Sequence, residues 1–192
     1  MPAWRLAGIR PFLNVAADIL RESSFDWEAV RDVAIQDRVA SLLYYALRHE
    51  QILPESLLEE FHNVYVWTAT ENALWLKELS SILAIFEEKN IPVIVLKGAA
   101  LLEPLYGNIA LLPMSDLDVL IHRSNAPIAV NLLADQGYTP TGSELVQDVT
   151  LAFENELLLC KAGRVGWGWP LELHWNLFDS PFYQYRIPES DL

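Results

Sequence analysis

The sequence predicts an α+β fold of mixed α/β character: a helical N-terminal lobe over residues 1–90, then a mixed, mostly antiparallel sheet over residues 91–192. Three observations carry this expectation. In the first ninety residues apolar side chains recur at helical spacing, with Trp75, Leu79, Ile82, Leu83 and Phe86 on one stripe. Beyond Pro92 the pattern changes to short apolar runs at 93–96 and 117–121, too brief for helices and rich in β-branched residues. Strand and helix signals then fail to alternate as a doubly wound sheet requires.

Ser24 or Asp26 offers a side-chain oxygen to cap a helix that carries Val30, Val33, Ala34 and then Leu42, Leu43 and Ala46 on one stripe. A break is expected at Gln51-Ile52-Leu53-Pro54, with Pro54 suited to the first turn of the next helix. Leu57, Phe61 and Val64 begin a pattern that the Trp75 stripe resumes. Glu87-Glu88-Lys89-Asn90 ends it, and Pro92 forbids its continuation. Residues 93–96 read as a buried strand, punctuated by Gly98, and 99–105 have helical composition. The second apolar run, 117–121, is entered through Pro113-Met114-Ser115-Asp116. Ser124 and Asn125 offer a cap for a helix over 127–135, closed by Gly137. Strands are expected at 149–153, 157–160 and 170–175, with Gly163, Gly166 and Gly168 marking a loop before the last.

Composition narrows the function. The 192 residues are 52% hydrophobic and 20% charged, which supplies a core and excludes a disordered chain. Thirteen basic against 26 acidic side chains give a formal charge of -13. Such a surface repels a phosphate backbone and argues against a long nucleic acid as partner. Cys160 is the sole cysteine, so an internal disulfide and a CxxC zinc site are both excluded. No apolar run approaches the ~20 residues of a membrane span, and the N-terminus lacks a signal-peptide pattern. A soluble, cytoplasmic protein is the expectation.

Asp116-Leu117-Asp118-Val119-Leu120, read as a strand, turns Asp116 and Asp118 to one face and Leu117 and Val119 to the other. Their Cβ atoms would lie roughly 7 Å apart from the strand rise. Two carboxylates so placed need solvent or a cation between them. Hard oxygen donors suit Mg²⁺ or Mn²⁺, which complete their shells with water and phosphate. Alone, the pair is equally consistent with a solvated strand edge. Leu96-Lys97-Gly98-Ala99-Ala100 adds a strand–glycine–helix turn, whose backbone N–H groups suit an anion and whose Lys97 adds a point charge. Leu171-Glu172-Leu173-His174-Trp175 adds a glutamate between core leucines, with His174 on the same face two residues on. A surface strand explains that glutamate plainly; a third metal ligand or a general base explains it sharply.

Together Gly98, Asp116-x-Asp118 and Glu172 resemble the three-part signature of polymerase-β-like nucleotidyltransferases. Within that superfamily, Leu96-Lys97-Gly98, Pro113-Met114-Ser115-Asp116-Leu117-Asp118-Val119-Leu120 and Glu172-Leu173-His174-Trp175 resemble an uncharacterised bacterial nucleotidyltransferase family with LKG, RPxxDxDLLV and ELHW motifs. The resemblance runs from near Asp26 to Leu177. It implies that Asp116, Asp118 and Glu172 bind Mg²⁺ or Mn²⁺ and catalyse nucleotidyl transfer. It further implies an NTP substrate, held by Lys97, Gly98, Ala99 and Ser115, with His174 behind the ligands, and an acceptor hydroxyl, which the acidic surface narrows to one on a small molecule, sugar or protein. A regulatory nucleotide-binding module of the same fold, a pseudoenzyme or antitoxin-like partner of another protein, is the alternative. This chain departs from the pattern at Ala99, where many superfamily members carry serine, and at Leu112, where the family carries arginine.

Among the remaining residues, His122 reads as an exposed strand end. Tyr106 reads as packing. Trp4, Trp27, Trp67 and Trp75 read as core or interface of the helical lobe. Trp167 and Trp169, interleaved with glycine, suit either a stacking surface or, preferred here, a cover for one end of the sheet. The resemblance also leads one to expect further helical sequence after Leu192.

Overall fold

The computed structural model describes Val15 and residues 26–141, 155–163 and 168–176. Ser24, Trp4, Trp167, Gly166, Leu177 and the expected strand at 149–153 lie outside these residues. The chain divides into two compact units, Met1–Leu74 with Ala100–Met114, and Trp75–Ala99 with Ser115–Leu192. The mixed α/β fold class and the helical N-terminal part are as the sequence predicts.

In the first unit Asp26 caps α1 (Trp27–Gln36), its Oδ1 accepting from the N–H groups of Glu28 and Ala29, both at 3.1 Å. The stripe expected to run on from Val30 to Ala46 is split between α1 and α2 (Ala40–Leu47). Arg38 lies between them at φ 60°, which a right-handed helix cannot contain. The break lets the two helices fold together around Ala34, Ala40, Leu57 and Phe61. Residues from Glu55 to Glu88 form one 34-residue helix, α3, entered after Pro54. It stops where Asn90 turns left-handed at φ 55°.

Trp67, on α3, is 65% exposed, which rules out the core role, one of the two the sequence suggests for it. Asn72 on the same helix is fully buried and uses its whole amide. Its Nδ2 donates to the carbonyls of Ile109 and Leu112 at 2.5 and 2.7 Å, and its Oδ1 accepts from Met114 N–H at 3.1 Å. Arg38 donates to the carbonyl of Pro113 at 3.0 Å. The segment 109–114 is thus held by side chains bonded to its backbone rather than by a regular element. Ahead of it, α4 (Lys97–Leu101) passes into a π-helical turn at Leu102–Tyr106, closed by Gly107 at φ 60°.

The second unit is built on a five-stranded mixed sheet of order β1-β2-β5-β4-β3. Its strands are β1 (Val93–Val95), β2 (Leu117–Ile121), β3 (Tyr138–Pro140), β4 (Glu156–Lys161) and β5 (Trp169–His174). β3, β4 and β5 form an antiparallel meander. β5 then runs parallel to β2, which pairs antiparallel with β1 on its other side. The helix α5 (Ala126–Asp135) connects β2 to β3; its Ala129, Val130 and Leu133 are buried.

Alternation along the strands separates two faces. One carries Val119, Leu157, Leu159, Leu171 and Leu173, all buried. Tyr138 and Lys161 tie this side to the end of α3, both donating to Glu78 Oε1, at 3.1 and 2.7 Å. Trp169 meets Trp75 edge-on with ring centroids 4.5 Å apart, so Trp169 covers the sheet rather than offering a free stacking surface. The other face carries Asp118, Glu172, His174 and Glu156, together with Leu158 and Ile94, which are 40% and 47% exposed.

Gly168, just before β5, lies against the neighbouring strand. A Cβ there would meet Cys160 Sγ, so one of the two must shift. Gly168→Ala is therefore expected to lower unfolding free energy by about 1–3 kcal/mol, the usual range for overpacking. In a Cys160→Ala background the same change is expected to cost measurably less by urea denaturation; equal costs in both backgrounds would show that the contact is not limiting.

Candidate metal-binding site

The sheet register brings the charged residues together. Asp118 on β2 and Glu172 on β5 are paired positions of two parallel strands, and Leu120 pairs with His174 one row further. Across the antiparallel β4–β5 pair, His174 is the partner of Glu156 and Glu172 that of Leu158. Since side chains two apart share a face, Asp118, Glu172, His174 and Glu156 all project from one patch. The ladder also extends past β1: Leu96 N–H donates to the Asp118 carbonyl at 2.9 Å, which delivers Lys97 beside that carboxylate.

Lys97 Nζ lies 2.5 Å from Asp118 Oδ1 and 2.8 Å from Glu172 Oε2, bridging the two acids. The His174 ring completes the cluster. Its Nε2 is 3.2 Å from Asp118 Oδ1 and 3.4 Å from Glu172 Oε2, and its Nδ1 is 2.9 Å from Glu156 Oε2. Asp118 and His174 are 2% and 7% exposed, whereas the Lys97 side chain is 57% exposed. Lys97 also holds φ 47°, a left-handed conformation worth roughly 1–3 kcal/mol of strain in a residue with a side chain. Lys97 takes the left-handed backbone of this turn, and Gly98 lies within α4.

The charges answer one another. Burial pushes the Asp118 carboxyl up, but hydrogen bonds from His174 and Lys97 outweigh it and hold the group down at about 2. Burial works against the Lys97 ammonium too, yet Asp118 and Glu172 raise it above the ordinary lysine range. For His174, burial favours the neutral ring while Asp118 and Glu156 favour the charged one, and the net effect is upward.

Ligand atoms of Asp118, Glu172 and His174 all lie within 4.8 Å of one another, close enough to share one cation. Two carboxylate oxygens and an imidazole nitrogen form a donor set that fits a divalent ion, and the Lys97 ammonium already fills the place between the carboxylates with positive charge. Of the residues singled out in the sequence, Lys97, Asp118, Glu172 and His174 converge. Asp116 stands half-buried just before β2 begins and is not one of the three residues whose ligand atoms come together. Ser115 is exposed beside it, and Ala99 sits half-buried in α4. His122 follows β2 and caps the short turn at Arg123–Asn125, its Nδ1 lying 2.7 Å from Ser124 Oγ. Glu156 is the site residue the sequence did not point to. A polar residue at the head of an apolar strand has many uses, and only the pairing with β5 gives it this one.

A family described as uncharacterised nucleotidyltransferase matches residues 23–191, and the chain belongs to it. No curated protein matches the chain.

The Asp118 shift has a definite sign. A carboxyl lowered from 3.8 to about 2 on folding contributes stability that is complete above pH 3.8 and is lost as pH falls through about 2. In metal-free buffer the stability difference between the parent chain and Asp118→Asn is expected to narrow between pH 4 and 2. A difference constant over that range, by urea denaturation at each pH, would show the carboxylate unpaired in the fold.

Proposed function

We propose that the chain is a metal-dependent nucleotidyltransferase that moves an NMP group from an NTP to an acceptor hydroxyl. The observation that carries this reading is the pairing of Asp118 with Glu172 on adjacent parallel strands, with a cationic group held between them. Membership of the nucleotidyltransferase family gives that arrangement its chemistry. Asp118 and Glu172 would hold the cation, Mg²⁺ or Mn²⁺, and Asp116 would be the further carboxylate of the set. When bound, the ion neutralises triphosphate charge, favours the attacking alkoxide and steadies pyrophosphate as leaving group.

The protein's own groups do the positioning. Lys97 yields its place between the acids to the cation and carries its charge to the phosphates from the mouth of the α4 turn. Backbone N–H groups of Gly98 and Ala99, with the hydroxyl of Ser115, complete the phosphate contacts. The acceptor hydroxyl loses its proton to water, and its oxygen bonds to the α-phosphorus as the bond to pyrophosphate breaks. Most of the rate arises from placement and electrostatics rather than from covalent chemistry by the protein.

The formal charge of -13 favours a small molecule, a sugar or a protein hydroxyl as acceptor over a long nucleic acid. Among the described residues no helix is long and apolar enough to cross a membrane.

Calorimetric titration with NTP and Mg²⁺ tests the reading. Asp118→Asn and Glu172→Gln are each expected to weaken metal-dependent NTP binding by at least the roughly 10–100-fold that losing an outer-shell partner costs, with a smaller loss for Asp116→Asn. Binding unchanged in the Asp118→Asn, Glu172→Gln double variant would overturn the site. Release of labelled pyrophosphate distinguishes a transferase from a module that only binds nucleotide.

A further inference from the structure

Both nitrogens of the His174 ring are committed, and to different partners. Nδ1 faces the Glu156 carboxylate at 2.9 Å, and Nε2 faces the Asp118 and Glu172 carboxylates at 3.2 and 3.4 Å. The pairing of Glu156 with His174 across β4 and β5 fixes this orientation from the backbone, and burial of the ring resists its rotation. A carboxylate can only accept, so the Nδ1 hydrogen points to Glu156. By the same rule a hydrogen on Nε2 points to Asp118 and Glu172 while no metal is bound. A cation entering between the carboxylates takes the Nε2 lone pair as that proton leaves to solvent, and the nitrogen becomes a third donor.

We propose that Glu156 is a positioning residue that locks the His174 ring, so that Nε2 joins Asp118 and Glu172 as a nitrogen ligand of the metal. The inference rests on the metal-dependent reading above and deepens it. It assigns Glu156 a role and moves His174 from behind the ligands into direct contact with the ion. A carboxylate behind a ligating imidazole fixes its tautomer and raises its basicity. Its consequence is metal choice. An all-oxygen shell suits Mg²⁺, whereas an imidazole nitrogen shifts preference toward transition ions, Mn²⁺ among the available ones and more strongly those later in the series. Glu156 is well suited to such a task because its side chain is 44% exposed and contributes little to the core.

Pulsed electron paramagnetic resonance of the full chain loaded with Mn²⁺ reads the claim directly, independently of activity. The expected spectrum shows nitrogen modulation from one directly bound imidazole, absent in His174→Gln. Glu156→Ala is expected to weaken Mn²⁺ affinity by about 10–100-fold, and Glu156→Gln, whose amide oxygen still accepts from Nδ1, to recover most of it. Mg²⁺ affinity, measured by competition, is expected to fall less than Mn²⁺ affinity in Glu156→Ala. Mn²⁺ bound without nitrogen modulation, yet lost in Asp118→Asn, would overturn the role of His174 and Glu156 while leaving the metal site standing. Failure of the parent chain to bind Mn²⁺ at all would overturn both.

Discussion

The parallel pairing of β2 with β5 is the constraint on which the site depends. It sets Asp118 against Glu172 and Leu117 against Leu171, and strand alternation does the rest. Every leucine of those two strands that faces the helices is buried in the second unit's core, and every charged residue falls on the opposite face. A slip of one residue would bury Glu172 and His174 among the leucines, so the apolar pattern that stabilises the sheet also fixes the acids in register. Hydrophobic burial here is the agent that holds two like charges side by side.

Holding them has a cost that the site's cations offset. Asp118 is almost wholly removed from water and would favour its neutral form if isolated. Lys97 and His174 reverse that tendency. Lys97 reaches its position through a left-handed backbone, so local strain and electrostatic relief meet in one residue. Because its side chain remains largely exposed, it is a cation that can move away, unlike the buried His174 ring. The site therefore combines a buried histidine with a largely exposed lysine, and the proposed metal-dependent function asks that lysine to give up its place to the ion.

Much of this was legible in the sequence because it is local. The Asp26 cap, the stop at Asn90, the strand at 117–121 and the i, i+2 spacing of Glu172 and His174 each follow from a few consecutive residues. Lys97, Asp118 and Glu172 stand out by the same means, as charges where an apolar pattern would otherwise continue. What the sequence hides is long-range pairing. Nothing near Glu156 shows that it will lie opposite His174. Nothing near Asp116 shows that it stays apart from the group formed by Asp118, Glu172 and His174. The division of the first helical stripe at Arg38 was missed because a left-handed arginine has no composition signal. The exposure of Trp67 is hidden too, because a large aromatic on a long helix can face water as readily as a core.

The decisive measurement is a crystal structure of the full chain with Mn²⁺ and a non-hydrolysable NTP, using anomalous scattering to place the ion. The expected result is a manganese peak between the Asp118 and Glu172 carboxylates, with Lys97 Nζ withdrawn from them onto the phosphates. Nucleotide bound elsewhere, with Lys97 still bridging the two acids and no metal between them, would contradict the reading of this face as a catalytic centre.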